Sequence, residues 1–204
     1  MCIRDRIIKP DIFLKKASHF KNFISQDSNI ISCMAGIKLI TICNNLDHKN
    51  VIRIMPNVMA KQNKSQTFVF AKNKKILNSS FDKLIKSFGS IHYTSNEDQI
   101  NIATSIFGSG PAFIAYLIKS YIEAAKNLSK KNQLKDIDLI NLFHNVLSSN
   151  QNSKDLDLFL NSIASKKGTT QAGVNFLKSQ NINKIIYSTL DSAYKRAKEI
   201  GIDK

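Results

Sequence analysis

The hydrophobic pattern of this chain changes its period near residue 96. Before that point, short apolar runs of strand length alternate with amphipathic segments of helical period. After it, every periodic segment has the helical period. Alternating strands and helices are typical of an α/β domain, in which parallel strand pairing is expected. The pattern therefore predicts an α/β domain over residues 7–95 and an all-helical domain over residues 96–204.

The same pattern predicts the individual elements of both domains. Beyond a strand end at 7–8, strands are expected near 29–34, 51–55, 67–70 and 91–93, with helices near 12–23, 37–45 and 76–88. The helical domain is expected to contain helices near 97–107, 110–130, 136–149, 154–163, 171–179 and 182–200.

The net charge of +15 is compatible with nucleic-acid binding, but the types of basic residue argue against it. Only four of the 30 basic residues are arginine, the residue that makes bidentate phosphate and base contacts. The lysines are scattered among Asn and Ile, so we interpret them as a solvated surface and expect no nucleic-acid partner.

The three cysteines form no C-x-x-C pair, and the four histidines share no motif, so neither a disulfide framework nor a metal site is expected. The longest strongly apolar run, residues 111–118, stops at Lys119 and is too short to cross a bilayer. An odd number of thiols and an N-terminus without a secretion signal favour a cytoplasmic protein with no membrane association.

Two segments combine glycines with hydroxyl side chains at expected helix starts. The first, F-G-S-G-P-A-F over 107–113, interrupts an apolar helical stretch. Since Pro is tolerated only in the first turn of a helix, one helix should end here and another begin at Ser109 or Gly110. The second, S-K-K-G-T-T-Q-A-G over 165–173, precedes a helix expected to begin near Gln171. Its backbone N–H groups at 168–170 are placed to hold a small anion.

Together with V-I-R-I-M-P-N over 51–57, these segments resemble the pyrroline-5-carboxylate reductase family, which makes proline. The resemblance implies a partial Rossmann-like domain followed by an all-α dimerisation domain, with NADPH or NADH as hydride donor. It implies pyrroline-5-carboxylate or proline as ligand, and a homodimer or a higher oligomer of dimers. The choice between NADPH and NADH stays open.

The resemblance also assigns residues to the site. Thr170 is expected to face the ring nitrogen as the catalytic residue. The substrate is expected to contact Ser109, Ser165, Gly168, Thr169 and Thr170. The cofactor cleft is expected to include Ile8, Lys9, Pro10, Ala35, Gly36, Met55, Pro56 and Asn57.

Two departures accompany this resemblance. Lys166-Lys167-Gly168 stands where the family commonly has Pro-Gly-Gly, which alters the rigidity of the loop and adds positive charge. Residues 1–6 (M-C-I-R-D-R) differ in composition from the rest of the chain and are interpreted as a non-native leader. The 204 residues contain no G-x-G-x-x-G dinucleotide motif, so we expect an N-terminally truncated fragment with little activity of its own.

Two other interpretations compete with this one. β-Hydroxyacid dehydrogenases also carry Gly-x-Gly at the start of a long helix, followed four residues later by a catalytic Lys. Here that position is Ile114, and the first lysine is Lys119, which argues against them. The alternative from another class is a non-enzymatic helical interaction protein whose Lys-rich surface binds an acidic partner or RNA.

Overall fold

The computed structural model describes residues 8–129 and 134–200. The expected leader over 1–6 lies outside the described residues. The first part of the chain contains α1 (Pro10–Lys21), β1 (Ile30–Ser32), α2 (Leu39–Leu46), β2 (Val51–Met55), β3 (Ser65–Ala71), α3 (Ser79–Lys86) and β4 (Gly89–Tyr93). The second contains α4 (Asp98–Ala103), α5 (Gly110–Ser129), α6 (Asp136–Ser149), α7 (Ser153–Ile163), α8 (Thr169–Ser179) and α9 (Ile182–Glu199).

Short irregular helices join some of these elements. Two 3₁₀ helices cover Val58–Gln62 and Lys74–Ile76, and a π-helical turn covers Thr104–Gly108 between α4 and α5. The predicted α/β part followed by a helical part is confirmed. The predicted change at the G-S-G-P segment is also confirmed, because α5 begins at Gly110 with Pro111 in its first turn.

The four strands form one sheet in the order β1-β2-β3-β4. β1 pairs with β2 in parallel, and β3 pairs with β4 in parallel. The expectation of parallel pairing is wrong for β2 and β3, which run antiparallel. Only residues 56–64 join these two strands, and a parallel crossover needs a connection of a dozen or more residues.

Apolar side chains pack on both faces of β2. Ile52 and Ile54 point to one face, where they pack with Phe81 and Ile85 of α3. Val51 points to the other face and packs with residues of α1 and α2. Met55 also lies on that second face, against Ile100 and Ala103 of α4. Every residue of β2 is therefore buried, as expected for a strand inside a sheet covered on both faces.

The chain divides into two compact units. Of the described residues, the first unit contains 8–111 and 189–200, and the second contains 112–129 and 134–188. In the first unit, α9 is joined to the π-helical turn by one hydrogen bond and to α4 by another. Ser105 Oγ donates to Leu190 O at 2.6 Å, and Tyr194 Oη donates to Asp98 Oδ2 at 2.6 Å.

One helical stretch has the length and apolar composition of a membrane-spanning helix, which the sequence prediction did not anticipate. Residues 98–129 are long and apolar enough to cross a membrane by length and composition. The Gly108-Ser109-Gly110 segment and the π-helical turn lie inside this stretch. A core helix of a globular protein can have the same length and composition, so these alone give weak support for a span.

Candidate functional site

Two of the predicted cofactor segments leave the same edge of the sheet. The Ala35-Gly36 pair follows β1, and Met55-Pro56-Asn57 ends β2, which is parallel to β1. Carboxyl ends of parallel strands meet at one edge, where ligands of open α/β sheets bind. Gly36 has φ +76°, a conformation that favours glycine, so this residue type is required for the turn into α2.

The G-S-G-P segment lies beside this edge, within the first unit. Ala35 and Phe107 pack against the cluster that contains Met55. A Cβ atom added to Gly108 would lie 3.7 Å from Met55 Sδ. The structure therefore brings Ala35, Met55 and Gly108 into one neighbourhood, and Ser109 follows directly.

Asn57 is held by its own local contacts. Its Oδ1 accepts from Met59 N at 3.0 Å and caps the 3₁₀ helix, while its backbone N–H donates to Ser65 Oγ at 3.0 Å. Within the described residues its Nδ2 group has no hydrogen-bond partner. The side-chain oxygen is thus engaged, and Nδ2 is the group that could donate to a ligand.

The predicted segment at the start of α1 has a mixed environment. Pro10 is the first residue of the helix, and Lys9 is the extended residue before it. Ile8 packs against the cluster that contains Ile37, the residue after Gly36. Lys9 is exposed. This places the backbone of residues 8–10 near the turn that leads into α2.

The turn before Ser109 is π-helical, which the sequence prediction missed. Ser109 N–H donates to Thr104 O, five residues back, at 2.9 Å. π-Helical turns inside helices are often found at functional sites. The Ser109 hydroxyl makes no hydrogen bond to any part of the chain that the structure describes.

The S-K-K-G-T-T loop belongs to the second unit and forms a tight turn. Gly168 N–H donates to Ser165 O at 3.0 Å, and Lys167 has φ +63°. A Cβ atom on Gly168 would lie 2.4 Å from Ser165 Oγ, so glycine permits this close approach. The Pro-Gly-Gly pattern of the family suits such a turn, because Gly favours the positive φ that Lys167 adopts here.

The helix after this loop begins two residues earlier than predicted. α8 starts at Thr169, with Gly168 as its cap residue and no side-chain cap. The Gly168 N–H is already bonded to Ser165 O. The N–H groups that lack an intrahelical partner are therefore those of Thr169, Thr170 and Gln171, one residue further along than expected. Uncapped N–H groups at a helix start suit a small anion such as a carboxylate.

An ion pair between a buried arginine and a half-buried glutamate was also missed by the sequence prediction. Arg53, in the middle of β2, is 1% exposed, and its Nη1 lies 2.6 Å from Glu97 Oε1. The signal is visible as a charged residue inside the apolar run V-I-R-I-M, since arginine is rarely buried without a partner. The sequence prediction placed Glu97 only in a helix start.

No group of three or more His, Cys, Asp or Glu residues suited to a metal ion occurs within residues 8–129 and 134–200. Cys33 and Cys43 are free thiols.

The second unit has almost no buried side chains of its own. The helices α6, α7 and α8 contain no buried residue. Large apolar side chains are exposed instead, among them Ile114, Tyr116, Leu117, Leu128, Leu158 and Phe176. On α9, Ile186 is exposed as well. Apolar surface of this extent usually marks an interface.

Comparison with known proteins gives a consistent result. Residues 97–200 match the family model described as pyrroline-5-carboxylate reductase dimerisation. The chain is 33% identical over 199 residues to the pyrroline-5-carboxylate reductase of Staphylococcus aureus strain COL, covering 94% of this chain and 72% of that relative. It is 32% identical over 200 residues to the enzyme of the same name from Staphylococcus haemolyticus.

The solved structures with a similar fold include pyrroline carboxylate reductases. The pyrroline carboxylate reductase of Plasmodium falciparum, with NADP bound, superposes with a TM-score of 0.80 at 23% identity, covering 95% of this chain and 79% of that one. A pyrroline-5-carboxylate reductase from Coxiella burnetii gives a TM-score of 0.73 at 25% identity, covering 95% of this chain and 74% of that one.

Proposed function

This chain belongs to the pyrroline-5-carboxylate reductase family, and we propose from that premise that the protein reduces L-1-pyrroline-5-carboxylate to L-proline, the last step of proline biosynthesis. The observation that carries the proposal is the 33% identity over 199 residues to a relative of that name. The bound cofactor, NADPH or NADH, supplies the hydride that adds to the carbon of the C=N bond. A proton added to the nitrogen completes the secondary amine.

In the second unit, the residues proposed to bind the substrate lie at the start of α8. The free N–H groups of Thr169, Thr170 and Gln171 are suited to the carboxylate, aided by the partial positive charge of a helix N-terminus. A hydroxyl both donates and accepts, so Thr170 is suited to a ring nitrogen that changes from imine to amine. Ser165 shapes the loop by packing against Gly168. The Ser109 hydroxyl is proposed as a further substrate contact.

In the first unit, the residues proposed to bind the cofactor lie at the sheet edge formed by Ala35-Gly36 and Met55-Pro56-Asn57. These residues fit the nicotinamide end of the cofactor, because a tight Gly36 turn and the Asn57 Nδ2 donor occur together at a strand edge. The backbone of Ile8, Lys9 and Pro10 is proposed to line the same cleft. We retain residues 7–95 as the cofactor domain and 96–204 as the substrate and dimerisation domain.

The protein is a homo-oligomer, and we propose the dimer as its basic form. The exposed apolar side chains of the second unit lie within the region matched by the dimerisation family model. This accounts for the apolar character of residues 98–129 without a membrane. A soluble enzyme with free thiols at Cys33 and Cys43 fits the cytoplasm, where we place it. No observation favours the alternative of a Lys-rich interaction protein.

The test is pyrroline-5-carboxylate-dependent oxidation of NADPH or NADH, followed by absorbance. The 204 residues contain no G-x-G-x-x-G, so the chain is assayed alone and fused to the part of the Staphylococcus aureus relative that it does not match. We expect turnover from the fusion and little from the chain alone, because the pyrophosphate needs N–H groups at a Gly-rich helix start. A folded, dimeric fusion without substrate-dependent oxidation would overturn the proposed function.

A further inference from the structure

The centre of the first unit contains a charged side chain that no assigned role explains. Arg53 lies in β2 between Ile52 and Ile54, and all five residues of that strand are buried. Its Nε and Nη2 atoms are buried and have no hydrogen-bond partner among the described residues. The Glu97 carboxylate is therefore the contact that holds the guanidinium group.

One oxygen of Glu97 joins two other elements. Glu97 Oε1 accepts from Arg53 Nη1 at 2.6 Å and from the Leu39 N–H at 2.5 Å. Leu39 is the first residue of α2, and the preceding residue, Lys38, provides no side-chain cap. Glu97 thus caps a helix from 58 residues away and carries a negative charge to its N-terminus, where such a charge is favourable.

Each element held by this oxygen leads directly into a segment of the proposed site. Arg53 is two residues before Met55, Leu39 follows the Ala35-Gly36 turn, and Glu97 precedes α4, which leads to Gly108 and Ser109. All of these residues lie in the first unit. A shift of the Glu97 carboxylate would move the start of α2 and the ends of β2 and α4 relative to one another.

We propose that Arg53 and Glu97 are positioning residues for the reductase reaction, and that their ion pair sets the distance between the Ala35-Gly36 turn and the Met55-Pro56-Asn57 strand end at the cofactor cleft. This inference rests on the proposed function. A buried ion pair is a weak source of stability, since well-packed apolar residues often replace it without loss. Because this pair joins three segments of the proposed site, its presence is better explained by a role in positioning those segments.

Three variants separate positioning from stability: Arg53→Met, Glu97→Met and the double variant. Each single variant leaves one charge unpaired and is expected to lower Tm by roughly 10 °C. The double variant leaves no unpaired charge and is expected to recover most of that Tm. The conservative variant Glu97→Gln keeps an Oε1 acceptor for both donors but removes the negative charge, so we expect its Tm to lie between those of Glu97→Met and the unsubstituted protein, with exchange at 35–39 close to that of the unsubstituted protein.

The first measurement needs no activity and uses the 204-residue chain. Hydrogen exchange of the amides at 35–39 is expected to accelerate by about tenfold in the double variant, because the Leu39 N–H loses its acceptor. The second measurement uses the active fusion. There the double variant is expected to raise KM for NADPH by about tenfold while KM for pyrroline-5-carboxylate changes less than about twofold.

These outcomes decide the inference separately from the proposed function. A double variant that recovers Tm, with exchange at 35–39 and KM for NADPH unchanged, would show that the pair does not position the cleft. A double variant as unstable as the singles would also overturn the inference, because the pair would then be needed for folding itself. Loss of turnover in the unsubstituted fusion would count against the proposed function and leave the exchange result standing.

Discussion

At the residue scale, Gly89 has the least freedom to change. Its φ is +139°, and a Cβ atom would lie 2.2 Å from Ser65 O, on the paired strand β3. Neither the backbone of β3 nor the register of β4 can give way cheaply, because Ser65 is fully buried. A glycine is therefore required where β4 begins.

We expect Gly89→Ala to lower the free energy of unfolding by about 3 kcal/mol, from backbone strain and the clash with Ser65. Urea denaturation measures the change. Ser90→Ala, at the next and exposed position, is the matched control and should stay within about 0.5 kcal/mol of the parent. Equal stabilities for the two variants would contradict the backbone geometry.

Lys167 adopts a conformation that suits glycine better. Its φ of +63° places a long side chain in the left-handed region, inside the turn closed by Gly168 N–H and Ser165 O. We expect Lys167→Gly to stabilise the protein by up to about 1 kcal/mol, since the strain it removes exceeds the added chain entropy. Lys166→Gly removes the same charge at a negative φ and should destabilise by about 0.5–1 kcal/mol. Thermal unfolding of both variants at matched ionic strength tests the pair, and the opposite order would refute it.

Thr170 is the side chain on which the proposed chemistry depends most. If its hydroxyl contacts the ring nitrogen, Thr170→Val leaves a polar group unpaired at a cost of about 1–3 kcal/mol. In the active fusion, kcat/KM should therefore fall by roughly one to two orders of magnitude. Thr169→Val should cost less, because we assign Thr169 mainly a backbone N–H contact, and Ser165→Ala should chiefly raise KM for substrate. Steady-state kinetics that left kcat/KM of Thr170→Val near the parent value would remove Thr170 from the reaction.

At the scale of the elements, the contact between α4 and α9 is polar and pH-dependent. The Tyr194 hydroxyl donates to Asp98 Oδ2, and Asn101 Nδ2 donates to Asp98 Oδ1 at 3.0 Å. The hydrogen bond from Tyr194 lowers the pKa of Asp98 below its usual 3.8. The same hydrogen bond raises the pKa of Tyr194 above its usual 10.0.

The two shifts predict a bounded pH range for this contact. The lowered pKa of Asp98 means that its contribution is present above about pH 4 and is lost as pH falls through the folded value. The raised pKa of Tyr194 means that its contribution is present below about pH 10 and is lost as pH rises through the folded value. The difference in Tm between the parent and Tyr194→Phe should be largest between these limits and shrink outside them. A difference independent of pH would show that the hydrogen bond from the neutral Tyr194 hydroxyl to the ionised Asp98 carboxylate is not formed.

At the scale of the whole molecule, we expect a second copy of the chain to cover the apolar side chains that one copy leaves exposed. The helices α6, α7 and α8 contain no buried residue, although each carries several leucine, isoleucine or phenylalanine side chains. A stable helical unit must bury such side chains, and a symmetric partner is the simplest way to do so. Self-association and folding of this unit should therefore be coupled.

We expect the protein to sediment as a dimer or larger at micromolar concentration. Burial of one leucine contributes about 1.5–3 kcal/mol, so Leu117→Glu in α5 should weaken association by at least ~10-fold. Lys119→Glu, in the same helix with an exposed side chain, is the matched control and should leave the dimer intact. A folded monomer of the parent in sedimentation velocity, or equal weakening by both variants, would contradict the interface.

The sequence by itself determined the elements and their order. Apolar periods of two and 3.6 residues report on burial along one element, so the change near residue 96 and the helix start at Gly110 could be predicted. The turns and helix starts at Gly36, Ser109 and the G-T-T loop could also be predicted, for a reason that is equally local. Glycine, proline and hydroxyl side chains act through the backbone of their immediate neighbours.

Only the tertiary structure decided the contacts between distant residues. One such contact is the pairing of β2 with β3 as neighbours in the sheet, which the short connection over 56–64 then makes antiparallel. The Gly168 N–H bond to Ser165 shifts the free donors to Thr169, Thr170 and Gln171. The hydrogen bonds of Glu97 with Arg53 and with the Leu39 N–H join residues up to 58 positions apart. Contacts over such separations produce no periodic pattern in the sequence. Hydrogen bonds and ion pairs form only when the two groups are placed to within a few tenths of an ångström of their preferred separation. For groups on distant segments, that placement is set by packing once the whole chain has folded.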